Sequence, residues 1–194
     1  MLSWKSYATT SCSCHIAFFT NFAIIAYTTM SSDNNKCVLN VEPQNMTVDF
    51  FEAREAGEEM LESVNRLLPQ LSPAAKPLTT EELKQLVSSH ASHLYLIRLD
   101  GKIAGMCTLA TYQIPTGHRA WIEDVVVDKD FRGMKLGRAL IEKVMEEVRK
   151  TSPCTLMLTS RPSRVAANAL YQDVGFESKE TNVYKMEFPC PQNS

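Results

Sequence analysis

From Met46 onward the sequence predicts an α/β sandwich, a mixed sheet with helices on its faces. Three observations carry this. Apolar periodicity switches between two residues and 3.6 residues in the order βααβββ and then αβαβ. Asp100-Gly101 separates two strand-like runs with a strong two-residue hairpin signal. The apolar run that ends at Asp128 passes through a short glycine-containing loop into an amphipathic helix.

The elements follow in order. Met46 to Ala53 is a short strand candidate. Residues 55–68 place Met60, Leu61, Val64, Leu67 and Leu68 on one helical stripe, and Pro69, Pro73 and Pro77 then break the chain into a loop. Thr79 or Thr80 caps a second helix that carries Leu83, Leu86 and Val87. His93 to Leu99 and Lys102 to Tyr112 form the hairpin, and Pro115-Thr116-Gly117 makes the next turn. Ala120 to Val127 reads as a central strand, apolar on both faces in its second half. Leu136 to Arg149 is the amphipathic helix, with Leu136, Leu140, Ile141, Val144, Met145 and Val148 inward. Thr155 to Thr159 is a strand, Arg164 to Asp173 a helix stopped by Gly175, and Tyr184 to Phe188 a final strand.

Residues 1–45 read as an N-terminal extension: disordered, a targeting segment, or material upstream of a true start at Met30 or Met46. Its apolar run, Ile16 to Tyr27, would span about 18 Å as a helix against roughly 30 Å of bilayer hydrocarbon, so a stable membrane span is not expected. The net charge of −2 gives no electrostatic reason to expect a nucleic-acid partner. The six cysteines are scattered, without a zinc framework or a disulfide scaffold. Cys107 and Cys154 lie in apolar runs and read as small buried thiols, no metal is expected, and a cytoplasmic location fits.

The segment that carries chemistry runs from Glu123 to Arg138. A central strand ends at Asp128, and Arg132-Gly133-Met134-Lys135-Leu136-Gly137 opens a helix. Small residues let the backbone approach an anion, and the helix start offers unpaired N–H groups that favour a phosphate. Arg132, Lys135 and Arg138 add positive charge. The spacing lacks both the Gly-Lys-Ser/Thr ending of a nucleoside-triphosphate loop and the G-x-G-x-x-G of a dinucleotide fold. The other reading of these glycines is a tight strand-to-helix turn with no ligand.

The run I-E-D-V-V-V-D-x-x-x-R-G-M-K-L-G-R-A-L-I resembles motif A of the GNAT acetyltransferase superfamily, and Asn168-Ala169-Leu170-Tyr171-Gln172-Asp173-Val174-Gly175-Phe176 resembles its motif B. The middle glycine of motif A is here Lys135. Glucosamine-6-phosphate acetyltransferases show a similar replacement beside a similar E-D-V-V-V strand, and this position is expected to need a backbone N–H more than a missing side chain. The resemblance covers about residues 46–188 and implies the GNAT fold over a domain from 46 to 194, with a mixed, mostly antiparallel central sheet.

It also implies a function: acetyl-CoA-dependent transfer of an acetyl group to a primary amine, by direct attack on the thioester. On that resemblance, Val125, Val126 and Val127 would bind the pantetheine arm through the strand backbone. Arg132, Gly133, Met134, Lys135, Leu136, Gly137 and Arg138 would hold the pyrophosphate. Asn168 would contact the cofactor arm and Tyr171 would protonate the departing thiolate. Glu123 is the preferred base for the amine and Asp124 the reserve; strand alternation puts them on opposite faces. His90, His93 and His118 sit at element ends, where solvated histidines are common, although His118 could line an acceptor pocket. Tyr112 and Trp121 read as packing. Arg161 and Arg164 could bind phosphate or an acidic substrate, or could flank a solvated helix cap. The acceptor is a small-molecule or peptide amine, and a homodimer is left open. The alternative function is a non-catalytic acetyl-CoA-binding regulatory module on the same fold.

Overall fold

The computed structural model describes residues 46–151 and 154–188 in full, and of residues 1–45 only the backbone of four short strands. Those strands are β1 (Trp4–Thr9), β2 (Cys12–Ala17), β3 (Ile24–Met30) and β4 (Cys37–Pro43), paired antiparallel as β1-β2 and β3-β4. The expectations for the rest of residues 1–45 lie outside the described residues. The chain divides into two compact units, Met1–Leu158 and Thr159–Ser194.

In the first unit a five-stranded sheet has the order β5-β6-β7-β8-β9. Its strands are β5 (Val48–Glu52), β6 (Ser92–Leu99), β7 (Lys102–Ile114), β8 (Gly117–Val127) and β9 (Cys154–Leu158). Every pairing is antiparallel except β8 with β9, which the intervening helix α3 (Leu136–Arg149) makes parallel. This is the mixed, mostly antiparallel sheet that the family resemblance implied.

Helices α1 (Glu58–Leu71) and α2 (Thr80–Val87) cover one face. Val64, Leu67 and Leu83 pack there with Leu94, Leu96, Met106 and Val126. Four consecutive residues of β6, Leu94 to Ile97, are buried, because α3 packs on the same strands and both faces of β6 are covered. The hairpin turn at Asp100-Gly101 has φ of 47° and 80°, the left-handed pair that a tight two-residue turn needs. Thr79 caps α2 with a full capping box: Glu82 N–H donates to Thr79 Oγ1 at 3.2 Å, and Thr79 N–H donates to Glu82 Oε2 at 2.8 Å.

Three expectations are corrected. Pro69 does not end α1 but sits inside its last turn, where the missing N–H removes a single helical bond; the helix still closes with Ser72 N–H on the Leu68 carbonyl at 3.0 Å. The proline-rich loop that follows is tied back by Asn65, whose amide bonds both the N–H and the carbonyl of Leu78 (2.7 and 3.0 Å). Cys154 is only half-buried, whereas Cys107 is fully buried, with its thiol pushed up by desolvation.

The third correction lies in the second unit. That unit contains α4 (Val165–Asp173), ended by Gly175 at φ 101° as expected. Tyr184 to Phe188 form no strand there, and Tyr184, Met186 and Phe188 are 78–89% exposed. Alternating apolar residues are not sufficient for a strand, because its backbone groups need a neighbouring ladder, and the described residues of this unit supply none. Among the described residues no helix is long and apolar enough to cross a membrane.

Candidate active site

The pairing of β8 with β9 runs from His118↔Cys154 to Ile122↔Leu158. Residues 123–127 therefore continue past the end of β9, and the two strands stop being neighbours where the candidate site residues begin. On its other edge β8 stays paired with β7, but the register slips. Met106 faces Val126, whereas Thr108 faces Glu123, so Asp124 and Val125 together oppose Cys107. Asp124 takes φ 53°, a left-handed conformation that aspartate tolerates better than most residues.

This bulge overturns the expected strand alternation. Glu123 and Asp124 do not fall on alternate solvent and core faces; both are exposed at the kink. Opposite the kink, β7 carries Gly105, where a Cβ would lie 2.9 Å from the Val126 carbonyl oxygen. A bare backbone there allows the strand that bears the site to run close. Partial desolvation, with the Asp124 carboxylate adding to it, holds the Glu123 carboxyl above its ordinary range. Val126 turns its side chain into the core under α1 and α2, while Val125 and Val127 are half-buried.

The loop after β8 is anchored at Asp128, whose side chain is 2% exposed. It forms an ion pair with Arg66 and accepts hydrogen bonds from Gln70 Nε2 and from its own loop at Asp130 N–H, each at 3.2 Å. Gln70 also accepts from Lys129 N–H at 2.8 Å, and Arg66 donates to the Ile103 carbonyl at 2.8 Å. Arg66 and Gln70, four residues apart on α1, thus hold the start of the loop against the sheet. The sequence reading assigned none of these three residues to the site. The usable signal was an acidic residue at the end of an apolar strand, where it must be paired if buried.

Beyond a single 3-10 turn (Lys129–Phe131), Gly133 has φ 81° and Lys135 has φ 59°. Lys135 is the residue before α3 and offers no side-chain cap, so the first-turn N–H groups of α3 have no capping side chain. N–H groups without a capping side chain, at the positive end of a helix, suit an anion. Arg132 folds its Nε–H back onto the Val127 carbonyl at 3.3 Å, and Arg138 pairs with Glu142 at 3.3 Å. Leu136 buries its side chain, so only its backbone can face a ligand.

The left-handed Lys135 also corrects the expectation about the missing glycine. The conformation itself disfavours a Cβ, so a glycine there relieves strain as well as supplying an N–H. Lys135→Gly is expected to raise stability by about 1 kcal/mol, less whatever the glycine adds to unfolded-chain entropy. Thermal unfolding measures it; a lower melting temperature would mean that the lysine side chain compensates for its own strain.

Two candidate residues lie on α4 in the second unit. The Asn168 side-chain amide donates to the Arg161 carbonyl at 3.0 Å, bracing the turn before the helix. Tyr171 is buried, with its ring edge-to-face to Phe176 at 6.1 Å. In the first unit, Trp121 Nε1 donates to the exposed Tyr112 hydroxyl at 2.8 Å.

Residues 58–176 match the model of the acetyltransferase (GNAT) family. Over 70 residues the chain is 37% identical to the [ribosomal protein bS18]-alanine N-acetyltransferase of Escherichia coli strain K12, a match over 36% of this chain and 46% of that protein. The chain thus spans about half the length of the curated relatives it matches. Among solved structures, a Trypanosoma brucei acetyltransferase superposes with TM-score 0.59 at 26% identity, over 73% of this chain and 100% of the other. Glucosamine-6-phosphate N-acetyltransferase from Arabidopsis thaliana superposes with TM-score 0.62 at 24% identity, over 72% and 98%. The second likeness is one of fold.

Proposed function

The chain belongs to the acetyltransferase (GNAT) family, and from that premise we propose that it moves an acetyl group from acetyl-coenzyme A to a primary amine. The observation that carries the reading is the continuity of strand, loop and helix. A kinked strand free of β9 leads directly into an anion-binding loop with an uncapped helix start. A long thioester with a pyrophosphate at one end suits such a path. The backbone of Val125 to Val127 orients the arm, and the loop from Arg132 to Arg138 takes the pyrophosphate, mainly through its N–H groups.

Glu123 takes a proton from the acceptor ammonium, directly or through a water, because only a neutral amine has a lone pair to donate. The amine then attacks the thioester carbonyl, the carbon–sulfur bond breaks, Tyr171 gives its phenolic proton to the thiolate, and the second proton shed by the new amide nitrogen passes through solvent to restore the phenol. Asn168 positions the turn beside α4. No covalent enzyme intermediate forms. Desolvation and the neighbouring Asp124 carboxylate raise the Glu123 carboxyl, which makes it a stronger base for the acceptor ammonium than an ordinary surface carboxylate. The proteins named above act on unlike amines by their names, a protein alanine and an amino-sugar phosphate, so the acceptor is to be found by a panel of amines.

The test is release of free thiol from acetyl-CoA in the presence of a panel of amines: sugar phosphates, polyamines, amino acids, aminoglycosides and peptides. Turnover with one class supports the reading. Binding of acetyl-CoA without turnover on any class would assign the alternative role, a non-catalytic acetyl-CoA-binding regulatory module. The pH profile tests the base separately. Asp124→Asn removes a like charge beside Glu123, which lowers the Glu123 pKa. The acid limb of kcat/KM is then expected to move to lower pH. A limb that stays in place would remove Glu123, Asp124 or both from the proton path.

A further inference from the structure

We propose that a cleft at the far end of the sheet binds a small organic anion with an aromatic or apolar body, at a site separate from the acetyl-donor path. The cleft measures about 720 Å³ and lies among the starts of β8 and β9, the end of β7 and the C-terminal end of α3. A cavity of that size takes a small organic ligand. Arg119, in its wall, lies eight residues before Val127 on β8, roughly 26 Å along an extended strand. The two sites therefore occupy opposite ends of one strand.

The charges in the cleft are unequally matched. Arg54, Arg119 and Lys150 line it against Glu52 and Glu147. Lys150 closes on Glu147 at 2.6 Å. Glu52 is shared by Arg54 at 2.9 Å and His93 Nδ1 at 2.8 Å. Arg119 meets only neutral oxygens: the His118 carbonyl at 3.1 Å, Thr155 Oγ1 at 3.3 Å and Thr116 Oγ1 at 3.4 Å. Among the described residues no carboxylate pairs with Arg119, and none with His118 beside it. A guanidinium held in place by hydroxyls, without its own acid, is poised for a carboxylate or phosphate ester.

The rest of the wall mixes small polar side chains, among them Ser88, Ser89, Thr111 and Gln113, with a few apolar or aromatic ones. Leu109 and Val148 supply buried apolar surface, and Tyr112, 47% exposed, accepts a hydrogen bond from Trp121 Nε1 that restrains its ring beside Arg119, its partner across the β7-β8 ladder. A fixed, wet aromatic face beside an unpaired cation suits an aromatic anion, stacked on one side and charge-paired on the other. The Tyr95 hydroxyl, pushed up to about 12 by burial and by Glu52 and Glu147, stays protonated at the base of the cleft as a donor. The histidines do not form a metal centre: among the described residues no three His, Cys, Asp or Glu side chains converge on one point.

Phenyl phosphate is a suitable probe, titrated calorimetrically into the full-length protein with and without saturating coenzyme A. Saturable binding is expected, unchanged by coenzyme A and weakened about tenfold by Arg119→Gln, in line with the loss of one charge-assisted contact. Because Arg119 also braces the β7-β8 turn, exposed His118→Gln is the second variant, expected to weaken binding about threefold while circular dichroism confirms the fold of both. The proposal is overturned by any of three results: no saturable binding, displacement by coenzyme A, or binding unchanged in both folded variants. Equal affinity for inorganic phosphate would overturn its apolar half. No acetyl transfer is read, so failure here is distinguishable from failure of the acetyltransferase reading.

Discussion

Tyr171→Phe is expected to lower kcat for acetyl transfer by about two orders of magnitude while leaving KM for acetyl-CoA nearly unchanged. The thiolate leaves more readily when a proton arrives with the breaking carbon–sulfur bond, and a phenol with an ordinary pKa of about 10 can supply it. A hundredfold loss corresponds to about 2.7 kcal/mol of transition-state stabilisation, within the usual range for one general acid. Phenylalanine keeps the buried ring and its edge-to-face contact with Phe176 at 6.1 Å, and thermal unfolding measured beside the kinetics reads what loss of the hydroxyl does to stability. Steady-state kinetics on the best amine of the panel decide it. An unchanged kcat would reduce Tyr171 to a packing residue and leave water as the proton source.

Asp128→Ala should cost about 2–4 kcal/mol of stability and raise KM for acetyl-CoA severalfold. The carboxylate is buried and bonded to Arg66, Gln70 and the Asp130 N–H at once. Its removal leaves two polar side chains and a loop N–H without their acceptor. Arg66 is 44% exposed and can turn to water, which keeps the cost below that of stranding a fully buried charge. The loop would then lose its tie to α1, and the N–H groups of α3 would no longer be presented in one geometry. Denaturant unfolding and a donor titration measure the two effects. Gln70→Ala should show a weaker form of both, since it removes one acceptor for Lys129 N–H and one donor to Asp128. A stability loss under about 1 kcal/mol for Asp128→Ala would mean that the loop holds its shape without the anchor.

Much of this protein was legible from local pattern alone. The β5–α2 order, the Asp100-Gly101 hairpin, the Thr79 cap and the amphipathic α3 all follow from periodicity and turn chemistry read within a few residues. The strand-loop-helix at 123–138 and the tyrosine helix α4 were located in the same way, and the family resemblance rested on those segments. Tertiary structure decided the rest. Alternation placed Glu123 and Asp124 on opposite faces, but the slipped register with β7 turned Asp124 left-handed and exposed both. Arg66 and Gln70 looked like ordinary polar positions of α1 until Asp128, 62 and 58 residues further along, met them. Tyr184 to Phe188 carried a strand pattern with no ladder among the described residues of its unit. Periodicity is a property of neighbours in the chain, whereas a bulge, a buried ion pair and a sheet edge are properties of neighbours in space. That difference is why sequence placed the elements and only the folded chain set the chemistry between them.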